Sequence, residues 1–179
     1  MSDLQDLEFA GGVNITLDIL KSTSILEFHA GRNLQLGRVR VQTQDGDMYT
    51  VTPTIHHDRE RAMVKLPKKL GENERVYLST GFRAAIDRSL RGFYYSTWAH
   101  EGQMGRYALT QFEPTSARRA YPGWDEPAYK ANFTFRMLHR VNTTALANMP
   151  SAYERSVDKE QVHQLLQTRS SGLSLHQYN

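Results

Sequence analysis

The chain has 179 residues, 39% of them hydrophobic and 23% charged, which allows one buried core and excludes bulk disorder. Its 22 Lys and Arg against 19 Asp and Glu leave a net charge of +3 with no one-sided basic stripe, so nucleic-acid binding is not expected. It has no cysteine, which excludes disulfides, thiolate zinc sites and a cysteine nucleophile, and no apolar run approaches the ~18 residues of a membrane span.

The opening segment MSDLQDLEFAGG is acidic and lacks the pattern of a signal peptide. Val13 to Ile19 then alternates apolar and polar residues, the period of a half-buried strand. Ile25–Phe28, Leu34–Val41 and Tyr49–Ile55 repeat the pattern, and Asp45-Gly46-Asp47 supplies a hairpin turn between two of these runs. Lys65, Lys68 and Lys69 are followed at once by Glu72 and Glu74 and read as a solvated turn. Further strands are expected at Ala62–Leu66, Arg75–Phe82, Phe93–Thr97, Tyr107–Phe112 and Ala131–Leu138. Short strands broken by turn chemistry every 8–12 residues or so predict an all-β fold, a sandwich or a curved sheet.

Pro114–Ala128 is dense in proline, glycine and charge and reads as an ordered loop. After Pro150 the composition shifts. Asp158 resembles a helix N-cap with Gln161 three residues on, and Val162, Leu165 and Leu166 follow at helical spacing. The expectation is a domain over residues 1–150 and a tail over 151–179 that is a marginal helix or disordered.

Seven histidines call for a test of metal chemistry. His100-Glu101-Gly102-Gln103-Met104 begins like H-E-x-x-H, but Met104 stands at the second ligand position, between two strands rather than on a helix. His56 and His57 are adjacent, so on a strand their rings point to opposite faces. No metal site is expected. Arg118, Arg119, Asp125 and Glu126 surround a proline-rich turn and read as loop-fixing ion pairs, with Trp124 as a core anchor. Three sequons, at Asn14, Asn132 and Asn142, hint at ectodomain ancestry, and threonine-rich strands account for them equally well.

From Gly92 onward the chain resembles the zinc aminopeptidases related to aminopeptidase N and puromycin-sensitive aminopeptidase. Gly92-Phe93-Tyr94-Tyr95-Ser96 is similar to that family's G-F-Y-x-S strand. Leu109 to Pro122 is close to its T-Q-F-E-P-T-x-A-R-R-A-F-P segment, Trp124-Asp125-Glu126-Pro127 matches W-D-E-P, and Ala147-Asn148-Met149-Pro150 resembles S-N-M-P. Phe9 to Ile15 and Ile25 to Ala30 fit the opening strands more loosely. The resemblance covers residues 8 to 150 and stops after Pro150. Gly123 stands where many relatives carry cysteine.

The resemblance implies an N-terminal β-domain whose Gln111 and Glu113 reach into the active site of the next domain. There Glu113 pairs with the α-ammonium of a peptide N-terminus, while Gln111 lines the pocket for the first side chain. Taken alone, Glu113 is a surface acid at a strand end. The implied partners are a catalytic zinc domain, of the same or a related chain, and a peptide substrate. Neither H-E-x-x-H nor G-x-M-E-N is present, so zinc is expected in that other domain and no activity in this chain alone. The competing readings are a free-standing β-domain acting as a regulatory or protein-binding module, and a degenerate product. The chain as written reads as cytoplasmic, with the ectodomain of a membrane aminopeptidase as the alternative.

Overall fold

The computed structural model describes residues 2–3, 7–140, 143–158 and 163–170. In chain order the strands are β1 (Ser2–Asp3), β2 (Glu8–Asp18), β3 (Thr23–His29), β4 (Gln35–Leu36), β5 (Val39–Thr43), β6 (Met48–Val51) and β7 (Thr54–His56). They continue as β8 (Arg61–Leu70), β9 (Arg75–Ala85), β10 (Gly92–His100), β11 (Gln103–Gln111), β12 (Phe133–Arg140), β13 (Tyr153–Asp158) and β14 (His163–Ser170). Among the described residues, a 3-10 turn at Ala117–Arg119 interrupts them.

The first sheet runs β1-β2-β9-β5-β6, with β4 also pairing β9; a second runs β3-β8-β7. Their inner faces form the main core: Val39, Val41, Val76 and Leu78 from the first, Leu26, Phe28, Ala62, Val64 and Leu66 from the second. Alternation places these side chains inward, since successive strand residues point to opposite faces. In β5 the burial reads buried, exposed, buried, exposed, buried. The fold is all-β and the expected sandwich is present.

A smaller apolar cluster of Phe9, Leu34, Ala84 and Ile86 lies under the β10–β11 hairpin, which sends Phe93 and Tyr95 into it. The Phe9 and Phe93 rings meet edge to face at 5.1 Å. The far end of the hairpin turns on Glu101 (φ 49°) and Gly102 (φ 79°), between paired His100 and Gln103. Two central residues with positive φ match the right-handed strand twist. His100 and Glu101 therefore belong to a tight turn, and the geometry of a metal-binding helix is absent from them.

Two expected strands are divided. Leu34–Val41 breaks at Gly37, whose amide donates to the Gly81 carbonyl at 2.9 Å, leaving β4 and β5. Tyr49–Ile55 breaks at Thr52-Pro53, where proline removes a ladder donor. Lys65, Lys68 and Lys69, expected in a turn, lie on β8. The helical expectation for the tail is corrected as well. Leu165 and Leu166 lie on β14, paired with Leu138 and Met137 of β12, and β13 pairs on the other side of β14. The expected capping residue Asp158 ends β13; Gln161 and Val162 lie outside the described residues. Backbone pairing with a distant strand outweighed a narrow helical stripe of weak intrinsic preference.

Candidate functional site

Gln111 is the last residue of β11, paired with Gly92 at the start of β10. Two residues on, Glu113 is exposed, joined to Pro114 by a cis peptide bond. The two residues singled out from sequence thus stand together where the hairpin runs into the loop.

That loop is tied down along its length. Ser116 donates its amide to the Phe112 carbonyl at 2.6 Å, closing the turn around Glu113. Gly31 donates to the Arg118 carbonyl at 2.7 Å, and the Asn33 amide group donates to the Arg119 carbonyl at 2.8 Å. A Cβ on Gly31 would lie 2.9 Å from the Arg119 Cα, so only glycine permits this approach. Arg118 binds Asp125 three times. Its amide and Nε donate to Oδ2 at 3.2 and 3.0 Å, and Nη2 donates to the Asp125 carbonyl at 3.2 Å. Such a forked, partly buried pair fixes orientation as well as distance.

At its far end the loop joins the sandwich. His29 and Gly123 exchange both backbone hydrogen bonds, at 2.7 and 3.0 Å. The Trp124 ring packs 5.9 Å from Phe28, as befits the expected core anchor. Tyr121 stacks edge to face on Phe112 at 6.0 Å and on Phe133 at 6.3 Å. Burial above all, with the Asp125 charge adding to it, pushes the Tyr121 phenol up, so it stays protonated.

Of the two arginines and two carboxylates expected to pair, Arg118 and Asp125 do so. Glu126 turns instead to Arg61, at 3.5 Å, and to His29 Nε2, at 3.6 Å. His29 completes the set: buried, it accepts the Asp125 amide on Nδ1 at 3.2 Å. In the sequence His29 stands only in a loosely matching strand, because its partner is 96 residues away and no local spacing marks it.

Among the described residues, no group of three or more His, Asp or Glu side chains is gathered that could hold a metal ion. No helix among the described residues is long and apolar enough to cross a membrane.

The pattern of the peptidase M1 N-terminal domain family matches residues 2–170, and the chain belongs to that family. The match runs past Pro150, where the legible motifs stop, and takes in both β13 and β14. The chain is 32% identical over 152 residues to aminopeptidase M1-C of Oryza sativa subsp. japonica, covering 85% of this chain and 17% of that protein. It is 32% identical to glutamyl aminopeptidase of Bos taurus, covering 84% and 16%. It is 29% identical to the thyrotropin-releasing hormone-degrading ectoenzyme of Rattus norvegicus, covering 88% and 15%. The chain therefore spans about a sixth of the length of the relatives it matches.

Proposed function

We propose that this chain is the substrate-recognition domain of a zinc aminopeptidase, inactive until a catalytic zinc domain stands beside it. Glu113 is offered to the α-ammonium of a peptide and Gln111 to the first side chain. The observation that carries this reading is the position of Glu113. It is exposed two residues beyond a paired strand, at the head of a loop fastened by the Arg118–Asp125 pair and the His29–Gly123 bridge. A carboxylate on so rigid a base can meet a substrate in a neighbouring domain without reordering its own. The match to about a sixth of much longer aminopeptidases supports the implied neighbour.

The test compares free and N-acetylated peptides on the zinc-bearing protein, with and without Glu113→Ala. Selective loss on free peptides supports the reading. Equal rates for wild type and variant on free peptides would end it.

A further inference from the structure

We propose that neutral His29 is a positioning residue for Glu113, fastening the far end of the loop that carries it and releasing that loop on protonation. This deepens the reading above and rests on it for its functional meaning, though the clamp itself is a property of this chain alone.

The Asp125 amide points at Nδ1 of His29 from 3.2 Å, and an amide nitrogen only donates. Nδ1 must keep its lone pair, so the neutral ring carries its proton on Nε2, 3.6 Å from Glu126 Oε1. That distance gives attraction rather than a hydrogen bond. A second proton on Nδ1 would set two N–H groups head to head. The bond to Asp125 would be lost, and the side chain, only 5% exposed, has little room to turn away.

The surroundings favour the neutral form. Arg118 faces the ring from the loop and Arg61 from β8; Glu126 and Asp125 oppose them, and Glu27 on β3 is drawn to Arg61 at 3.2 Å. Burial first, then Arg118 and Arg61, hold the imidazole below its ordinary value of 6.5. In this window the unfolded chain binds the proton more readily than the folded one. Stability is then present above about pH 6.5 and is lost as pH falls toward the lowered folded value.

Asp125 transmits the change. Its carboxylate holds both the amide and the guanidinium of Arg118, and the Arg118 carbonyl holds Gly31. The turn Phe112–Ser116 lies directly before this tie, with Glu113 inside it. Loosening at Asp125 therefore reaches Glu113 through one ion pair and the four residues between Glu113 and Arg118.

The experiment is a two-dimensional NMR titration of the isotopically labelled 179-residue chain from pH 8 to pH 5. The expected result is that the His29 ring, Asp125 amide and Glu113 amide share one midpoint below 6.5. His29→Asn keeps an acceptor where Nδ1 stands and does not titrate. It should preserve the pH 8 spectrum of the loop and abolish its pH dependence. His29→Leu keeps the bulk and removes the acceptor, and should speed exchange of the Asp125 amide about tenfold at every pH, the worth of one hydrogen bond. A Glu113 amide that ignores the His29 titration in the wild-type chain overturns the proposal, whether or not the variants fold. Because no substrate is present, this outcome is separate from the peptide test: a working clamp with an indifferent Glu113→Ala enzyme would sink only the substrate reading.

Discussion

A Cβ built on Gly92 would lie 2.6 Å from the Cβ of Arg119, and Gly92 itself holds φ at +68°. The hairpin and the loop are thus pressed together at a point where a side chain has neither room nor a comfortable backbone. Gly92→Ala is expected to cost about 2–4 kcal/mol, from left-handed strain and overpacking together. Gly123 offers the contrast. The nearest atoms to its would-be Cβ are in the Tyr121 ring at 3.9 Å, and its φ is not in the left-handed region. Gly123→Ala should be neutral or gain about 0.4–1 kcal/mol through the unfolded chain. Urea unfolding of the pair checks both, and equal destabilisation would contradict the geometry.

The Arg118–Asp125 pair should behave as one unit. Its side chains are 13% and 18% exposed, so removing either strands a partly buried charge. Arg118→Ala and Asp125→Ala are each expected to cost about 2–3 kcal/mol. The double variant should fall short of their sum by at least about 0.5 kcal/mol. Strict additivity in denaturant unfolding would show that the pair adds nothing to loop order.

Glu113→Ala separates stability from recognition. In a protein that includes the zinc domain, losing a charge-assisted contact of about 1.5–3 kcal/mol should lower kcat/KM on free peptides roughly 10- to 150-fold. Acetylated peptides, having no ammonium, should show no such loss. In the present chain the same change should shift stability by no more than about 0.5 kcal/mol, since Glu113 is exposed. Unfolding of the isolated chain by Glu113→Ala would make it a structural residue.

The boundary at residue 150 is a proposal with a direct test. Among the residues whose burial is described, both apolar clusters draw on the stretch from Phe9 to Trp124. A chain ending at Pro150 should retain a single cooperative thermal transition. It also exposes the β12 edge, which pairs with β14, and should associate more readily. Circular dichroism melts and gel filtration read the two effects. Loss of the cooperative transition would mean that residues 151–170 complete the fold.

Much of the sandwich was legible because strand alternation is local: Val13 to Ile19 and Arg75 to Phe82 carry their period whatever they pack against. The breaks at Gly37 and Pro53 were less visible, since a run of β-formers does not show which ladder partner it will meet. Gln111 and Glu113 were singled out through the motif around them; that Gln111 closes β11 opposite Gly92 is a matter of strand pairing.

By itself the sequence determined the all-β class, the hairpin turn at Asp45-Gly46, the ordered loop and its family likeness, all consequences of nearest-neighbour chemistry. Tertiary structure alone decided the tail and the clamp. Leu165 and Leu166 read as part of a marginal helix, and the ladder with β12 is what makes them strand. His29 is one histidine among seven until the fold brings the Asp125 amide 3.2 Å from its ring. Contacts across such separations depend on where the whole chain turns back, and no local period encodes that.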